Sequence, residues 1–233
     1  MSIRTLSKSM IAVTLGAVSL IASFSAVAQD KKDEKKEDKT KVYVATMETS
    51  HGVIELELDR EKAKETVDNF LKYVRDGYYE NTLFHRVEKG YIVQGGGYHM
   101  NERGEYVPKD TGKREAIKSQ AKNGLKNAKG TIAAARWADN TDSAKSEFYI
   151  NLEENKGLDE PLPAGSGFTV FGKVTKGMEV VEKIGGLELR TDGVLRLPRQ
   201  EDKKTVFDDY KVSFLPKEDV VIQKITAEPK KEG

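Results

Sequence analysis

Cysteine is absent from the 233-residue chain, so neither a disulfide nor a cysteine-ligated zinc site can form. Histidine is scarce as well, and the three present, His51, His85 and His99, have no partner at metal-ligand spacing. A formal net charge of +1 argues against non-specific binding to nucleic acid. We therefore expect no metal and no nucleic-acid partner, and a stability that comes from one hydrophobic core.

Long hydrophobic runs are also scarce, and the one that stands out, Met10–Ala22, lies near the start of the chain. It follows Arg4 and Lys8 without any acid and precedes the small residues Ala26-Val27-Ala28. This order predicts a secretory signal peptide at residues 1–28, with an apolar part too short for a comfortable membrane span. A retained anchor is the alternative, whereas the lack of a nearby cysteine excludes lipid attachment. Cleavage would change the formal net charge from +1 to −1.

The segment at residues 29–41 is almost entirely charged, because Asp30–Lys41 carries a charge at 11 of 12 positions. Such a segment cannot bury apolar surface, so we interpret it as a solvated linker. One folded domain at residues 42–227 and a short tail at 228–233 complete the predicted organisation.

Hydrophobic periodicity predicts the elements of this domain. Val42–Thr49 and Val53–Leu58 alternate around a glycine turn, which indicates a β-hairpin. Glu61–Gly77 has a helical apolar stripe formed by Val67, Phe70, Leu71 and Val74. Further short apolar runs predict strands, and one predicts a second helix: Gly130–Ala135, Phe148–Leu152, Val170–Val174 and Val220–Ile225 for strands, Gly177–Ile184 for the helix.

Two long polar stretches interrupt this pattern. We interpret Tyr98–Lys129 as a long connection with one short strand near Ala116–Ile117, and Leu187–Lys217 as loop-like. Seven or eight short strands with so few helices favour a closed, mostly antiparallel barrel over a parallel α/β sheet.

Several common chemistries find no support in the sequence. Gly124–Thr131 lacks the spacing of a phosphate-binding loop, and Gly95-Gly96-Gly97 lacks the spacing and the following helix of a dinucleotide site. Ser143 and Ser146 have no nucleophile-elbow context. We therefore expect neither a bound cofactor nor a hydrolytic triad.

The stretch Phe84–Gly97 combines apolar, cationic and amide groups in two runs separated by Gly90. Leu83–Val87 and Tyr91–Val93 have strand character, and the three glycines that follow are expected to end regular structure. A strand thus presents Arg86, whose guanidinium can form a structural ion pair or hold a neutral carbonyl through its fork of donors.

An arginine among aromatic and amide groups is poorly equipped for bond cleavage but suited to holding a peptide. Rotation about the bond before proline requires no nucleophile, metal or proton shuttle, although its barrier is ~18–20 kcal/mol because the C–N bond is partly double. A guanidinium that donates to the prolyl nitrogen favours the twisted state, in which that lone pair is no longer conjugated.

Several ordered motifs resemble the cyclophilin family of peptidyl-prolyl isomerases, particularly its exported bacterial members. The resemblance spans roughly residues 42–173 and the last strand. It rests on four groups of motifs: Phe84-His85-Arg86-Val87 with Gly90-Tyr91-Ile92-Val93-Gln94-Gly95-Gly96, Asn123-Gly124-Leu125 with Gly130-Thr131-Ile132-Ala133-Ala134-Ala135-Arg136, Ser146-Glu147-Phe148-Tyr149-Ile150, and Val170-Phe171-Gly172-Lys173-Val174.

This resemblance implies an eight-stranded antiparallel barrel capped by helices, with a groove on its outer face. It implies that Arg86 is the catalytic arginine and Gln94 the glutamine beside it. It further implies substrate contacts of three kinds: a proline pocket of Tyr91, Ile92, Tyr149 and Leu158, backbone pairing at Ala135 and Arg136, and further contacts at Phe84, His85, Glu147 and Phe168.

The chain departs from the family pattern at several positions of the site. Tyr91 and Tyr149 stand where phenylalanine is usual, so two hydroxyls need partners. Glu147 replaces a glutamine, and we expect Glu147→Gln to preserve or raise turnover. Gly157 stands where many members have an aromatic residue, which predicts weak binding of cyclosporin. Glu160–Gly167 is an insertion with two prolines.

The expected function is isomerisation of X-Pro bonds in unfolded or flexible exported polypeptides, by a monomer in the periplasm or a similar compartment. A non-catalytic module of the same fold that holds or chaperones proline-containing segments is the main alternative. A structural envelope protein is a further one.

Overall fold

The computed structural model describes residues 39–109, 114–160, 167–201 and 204–231. The predicted signal peptide, most of the linker and most of the Glu160–Gly167 insertion lie outside these residues. Within them, no helix is long and apolar enough to cross a membrane.

Eleven strands and two α-helices make up the described part of the chain. The strands are β1 Val42–Thr49, β2 Gly52–Asp59, β3 Thr82–Glu88, β4 Ile92–Met100, β5 Tyr106–Pro108, β6 Thr131–Ala134, β7 Phe148–Asn151, β8 Val170–Lys176, β9 Gly193–Glu201, β10 Lys204–Val212 and β11 Val221–Pro229. The helices are α1 Lys64–Arg75 and α2 Met178–Gly185, and a 3₁₀ turn covers Lys156–Leu158.

Eight of these strands close into an antiparallel barrel in the order β4-β3-β11-β1-β2-β8-β6-β7, and β7 pairs back with β4. The predicted barrel, the β1–β2 hairpin and both helices are confirmed. Closure leaves none of these eight strands at an open sheet edge.

Alternating side chains of the barrel strands fill its interior. Met47, Ile54, Leu56 and Ile132 are completely buried there. The apolar stripe of α1 joins the same core through Val67, Phe70 and Leu71, with Val74 partly buried beside them. Burial at a period of two in the strands and near 3.6 in the helix explains why the sequence pattern identified these elements.

The interpretation of Leu187–Lys217 as loop-like was wrong. Residues 193–201 and 204–212 pair as an antiparallel hairpin, β9–β10, which extends the sheet beyond the barrel through β5. Leu195 packs with Leu83, Tyr98 and Tyr106 in a small second cluster. Leu195 and Leu197 contact this cluster, whereas Val194, Phe207 and Tyr210 are exposed. The charged residues between them conceal the strand pattern in the sequence.

The expectation that three glycines end the strand after Val93 was also wrong, because β4 continues to Met100. Gly96 has φ +84°, and a Cβ there would lie 2.8 Å from the Phe148 ring. A Cβ on Gly97 would lie 2.3 Å from Cγ of Glu147. The glycines therefore let a ring and a carboxylate side chain pack directly against the strand.

The long connection is partly ordered by strand pairing. Its first part belongs to β4 and β5, and Ile117 forms an isolated bridge with Ala144 instead of the predicted short strand. At the end of the chain, β11 extends to Pro229.

Candidate active site

Strand register places three predicted site residues, together with Ala133, in one row on the outer face of the barrel. Arg86 lies opposite Gln94, Gln94 opposite Tyr149, and Tyr149 opposite Ala133, across β3, β4, β7 and β6. Directly opposed residues share a face, and their neighbours Val87, Val93, Ile150 and Ile132 fill the interior. The barrel thus brings together side chains that are far apart in sequence.

A β-bulge at His85 decides which residues of β3 reach this face. Phe84 pairs with Gly95 while Arg86 pairs with Gln94, so β3 holds one extra residue between the two pairs. Simple alternation would put Phe84 beside Arg86, but the bulge turns Phe84 into the core, where it is 0% exposed. Phe84, predicted as a substrate contact, therefore packs inside the barrel.

Arg86 is held by two polar partners on the outer face. Its Nη1 donates to Oε1 of Gln94 at 2.9 Å, and its Nε and Nη2 donate to Oε1 of Glu88 at 2.9 and 2.5 Å. The Phe214 ring lies 5.8 Å from the guanidinium carbon. The side chains of Arg86 and Glu88 are 33% and 38% exposed, so the pair faces solvent.

Sequence reasoning missed both Glu88 and Phe214. Glu88 could have been found, since it lies two residues after Arg86 and therefore on the same strand face. Phe214 follows the β9–β10 hairpin, and its carbonyl accepts from the Val87 N–H at 2.9 Å. No local pattern relates it to β3, because only the unpredicted hairpin brings that segment back to the site.

An apolar cluster, here called the outer cluster, lies beside Arg86 on the same face. It contains all four predicted proline-pocket residues. The buried base is formed by Ile92, Ala133, Tyr149, Leu158 and Val170, and the partly exposed rim by Tyr91, Leu125, Ala135 and Phe168. The Tyr149 and Phe168 rings meet edge to face with centroids 5.7 Å apart. Of these residues, Ala133, Leu125 and Val170 were not predicted.

The two tyrosine hydroxyls in the cluster have different environments. Tyr149 donates to Oδ1 of buried Asn127 at 2.7 Å, and burial, with smaller contributions from Tyr91 and Asp159, raises the pKa of Tyr149 well above its usual value. Burial and the nearby Glu88 raise the pKa of Tyr91. Both hydroxyls therefore stay protonated at neutral pH. The Tyr91 hydroxyl lies near the Arg86–Glu88 pair.

Glu147 and His85 form the inner layer of the site. Nε2 of Gln94 donates to Oε2 of Glu147 at 2.8 Å, and Nε2 of His85 lies 3.3 Å from the same oxygen. His85 is 2% exposed and packs 4.5 Å from the Tyr98 ring, so a ligand at the surface does not reach it. Glu147 thus contacts Arg86 only through Gln94.

Opposing effects act on the Glu147 carboxyl. Burial raises its pKa, but the His85 hydrogen bond and charge, the Gln94 hydrogen bond and the Arg86 charge outweigh burial, and the pKa is lowered from 4.5. At neutral pH the group is a carboxylate. Its oxygen fixes the amide of Gln94, with the nitrogen toward Glu147 and the oxygen toward Arg86.

Substitution of Glu147 by glutamine should preserve or raise turnover, changing it less than about threefold, because a glutamine oxygen still accepts from Gln94 and the loss of a carboxylate strengthens Arg86 as a donor. A lowered folded-state pKa contributes stability above the unfolded value, which is lost as pH falls through the folded value. Urea unfolding at pH 7 and pH 3 should therefore show a smaller acid-induced loss for Glu147→Gln than for wild type. An equal acid-induced loss of stability in wild type and Glu147→Gln, or a large drop in the turnover of Glu147→Gln, would contradict this account.

Arg136 and Ala135 border the outer cluster on the side of β6. Arg136 packs over the Phe168 ring with 4.5 Å between guanidinium carbon and ring centroid, and donates to the carbonyls of Trp137 and Gly167 at 2.7 and 3.0 Å. The N–H of Ala135 donates to the Glu147 carbonyl at 3.0 Å. Both residues are partly exposed beside the cluster, and their contact with a peptide stays a prediction.

Among the residues that the structure describes, no group of three or more histidine, aspartate and glutamate side chains is placed to hold a metal ion. His51 and His85 each face a single glutamate, and burial, with the Lys109 charge, lowers the pKa of His99. The groove is therefore built from a guanidinium, amides, carboxylates and apolar rings.

Comparison with known proteins identifies the family of this chain. A family model described as "Cyclophilin type peptidyl-prolyl cis-trans isomerase/CLD" matches residues 44–206. The chain is 40% identical to peptidyl-prolyl cis-trans isomerase B of Escherichia coli (strain K12) over 78% of its own length and 98% of the relative's. It is 44% identical to peptidyl-prolyl cis-trans isomerase A of Dickeya dadantii (strain 3937), over 62% and 72% of the two chains.

Solved structures match the fold as well. A cyclophilin-type isomerase of Cryptosporidium parvum aligns with a TM-score of 0.59 and 21% identity, over 82% of this chain and 99% of the other. The family match over most of the chain, together with the bacterial relatives, settles the assignment. This chain belongs to the cyclophilin-type peptidyl-prolyl cis-trans isomerase family.

Proposed function

We propose that this cyclophilin-type isomerase accelerates rotation about X-Pro bonds by means of Arg86, which donates to the prolyl nitrogen as the bond twists. The observation that carries the proposal is the row Arg86–Gln94–Tyr149, in which a restrained guanidinium lies next to an apolar cluster. The membership of the family makes the chain a peptidyl-prolyl cis-trans isomerase.

The chemistry follows from the electronic structure of the amide. In the planar isomers the nitrogen lone pair is conjugated with the carbonyl, and the barrier of ~18–20 kcal/mol is the loss of that conjugation. At the twisted geometry the lone pair becomes a hydrogen-bond acceptor. A donor fixed beside it stabilises the twisted state more than either planar state, and ~5.4 kcal/mol of such stabilisation gives a factor of ~10⁴ in rate.

The outer cluster would receive the proline ring. Its rim residues Tyr91, Leu125 and Phe168 are partly exposed while the base is buried, which suits an apolar five-membered ring that must be held away from water. A related structure of the Cryptosporidium parvum isomerase was solved in the presence of the dipeptide Ala-Pro, which supports a proline-containing peptide as the ligand class.

We further propose that the protein acts outside the cytoplasm, in the periplasm or a similar compartment, as a monomer that assists folding. The signal-peptide pattern at residues 1–28 supports this location. Newly translocated chains would be the substrates, since proline isomerisation takes tens of seconds uncatalysed and limits their folding. Mass analysis of protein from the periplasmic fraction should find an N-terminus near Gln29.

A non-catalytic module that holds or chaperones proline-containing segments is the second candidate, favoured by the neutralising contact of Glu88 with Arg86. A protease-coupled assay on an X-Pro peptide separates the two. An isomerase raises the rate in proportion to its concentration, whereas a binding module slows or leaves unchanged the same reaction while still binding the peptide. A structural envelope protein would show neither effect.

Cyclosporin should bind weakly, with a dissociation constant in the micromolar range or above. The corresponding binding free energy is no more favourable than about −8 kcal/mol. Gly157 offers no indole donor, and an added Cβ there would meet nothing within 4 Å, so the position has room for a large side chain. Gly157→Trp should therefore fold normally and bind at least tenfold more tightly, as followed by fluorescence titration. Nanomolar binding by the wild-type protein would refute the prediction.

A further inference from the structure

Glu88 occupies an unusual position for an acid, directly against the catalytic arginine of the proposed function. It lies two residues after Arg86 on the same face of β3. One carboxylate oxygen accepts from both Nε and Nη2 of Arg86, at 2.9 and 2.5 Å. No step of the isomerisation described above requires a carboxylate at this place.

The contacts of Arg86 leave little freedom to the guanidinium. Of its five N–H groups, two donate to Glu88 and one to Gln94. The two that remain, one on Nη1 and one on Nη2, are those available to a substrate. Because the two acceptors bind different edges of a rigid planar group, they fix its rotation about the side-chain bonds.

The two restraints differ in how they are supported. Gln94 is itself fixed by Glu147, whose oxygen accepts from its amide at 2.8 Å. Phe214 lies near the guanidinium but 5.8 Å from its carbon, so it limits movement without directing the N–H groups. Without Glu88, Arg86 would keep one directional contact and could swing about it toward solvent, since a third of the side chain is exposed.

We propose that Glu88 is a positioning residue for Arg86, which holds the free guanidinium N–H groups at the prolyl nitrogen. This inference rests on the proposed function of Arg86. Glu88 need not touch the substrate, so its loss acts on the twisted state and not on peptide binding. The opposite role, in which Glu88 sequesters Arg86 and inhibits the enzyme, predicts the opposite change in rate.

The test compares Glu88→Leu with Glu88→Gln by NMR exchange spectroscopy on a proline peptide, which gives kcat and KM. Misplacement of a catalytic group by about 1 Å can cost ~10²-fold, so we expect Glu88→Leu to lower kcat at least tenfold with KM changed less than about twofold. Glu88→Gln retains an oxygen acceptor and should recover at least half of the wild-type kcat. An unchanged or higher kcat in Glu88→Leu, or no recovery in Glu88→Gln, would overturn the proposal.

A double-mutant cycle separates this inference from the proposed function. In an Arg86→Ala background, Glu88→Leu should have no further effect, because there is no guanidinium left to position. An equal effect with and without Arg86 would overturn the positioning role. If Arg86→Ala alone leaves turnover unchanged, the proposed function itself fails.

A matched control uses a glutamate on another barrel strand. Glu55 on β2 pairs with Lys176 at 3.1 Å, and β11 and β1 separate its strand from β3. Glu55→Leu removes a surface carboxylate and an ion pair of the same kind and should leave kcat and KM unchanged. A loss of kcat in this control equal to that in Glu88→Leu would overturn the proposal, since the effect would then come from surface charge in general.

Discussion

Replacing Arg86 with alanine should lower kcat/KM for an X-Pro peptide by about two to three orders of magnitude, the range seen when a single preorganised donor to a transition state is removed. Arg86 offers its remaining N–H groups at the border of the outer cluster, and no other cation makes contact with Gln94 or Glu88 among the residues that the structure describes. The protease-coupled assay at several enzyme concentrations measures the change.

The fold should tolerate this substitution. Arg86 lies on the outer face with a third of its side chain exposed, and its ion pair with Glu88 is a surface pair, worth at most about 1 kcal/mol. Peptide binding should weaken only a few-fold, because the apolar cluster remains. Activity and stability thus separate in one variant, as expected for a residue that acts on the twisted state.

Two companion variants make the result specific. Arg86→Lys keeps the charge but loses the planar fork, so it should recover little of the lost rate. Arg196→Ala removes an arginine of similar exposure, which pairs with Glu105 and Asp209 outside the groove, and should leave turnover unchanged. If Arg86→Ala kept activity within threefold of wild type, the chain would isomerise proline bonds by desolvation and ring binding alone.

Local pattern was sufficient for most of the barrel, because its strands bury one face in a single core. The β1–β2 hairpin alternates so regularly that Ala45, Met47, Ile54 and Leu56 are all fully buried. The family resemblance placed Phe84 in the groove, but the bulge at His85 breaks the alternation of β3 and is not visible in the sequence. One extra residue in β3 thus moves the Phe84 side chain from the outer face into the core.

Contacts between residues that are distant in sequence could not be predicted from local patterns. The row from Arg86 to Tyr149 depends on the register of β3, β4 and β7, which joins residues more than fifty positions apart. The resemblance to family motifs nevertheless predicted Gln94 and Tyr149 as site residues. It offered nothing for Phe214, which reaches β3 only because the charged β9–β10 segment forms a hairpin.

The Tyr149 hydroxyl shows how a departure from the family pattern is accommodated. A buried hydroxyl without a partner would destabilise the fold, yet Asn127 accepts from it at 2.7 Å. Asn127 is 1% exposed and lies before β6, in a region that gave no periodic signal. Its importance follows from hydrogen bonds with four residues that only the folded chain brings together: Tyr149, Asn151, Asn155 and Asp159.

Substitution of Asn127 by leucine should therefore destabilise the domain by roughly 3–5 kcal/mol, since it orphans a buried hydroxyl and removes further hydrogen bonds at about 1–3 kcal/mol each. The amide nitrogen of Asn127 donates to Asp159 at 2.9 Å, and its oxygen also accepts from Asn151 at 3.2 Å. The melting temperature should fall by about 2–4 °C per kcal/mol, as measured by calorimetry.

Tyr149→Phe is the matched variant, because it removes one end of the same contact without leaving a donor unpaired. The Asn127 oxygen then still accepts from Asn151, so the free energy of unfolding should fall by only about 1 kcal/mol. The test is the difference in the free energy of unfolding between the two variants, which should be large. If Asn127→Leu were no more costly than Tyr149→Phe, Asp159 and Asn151 would not depend on Asn127. The base of the outer cluster would then be held by apolar packing alone and not by the hydrogen bonds of Asn127.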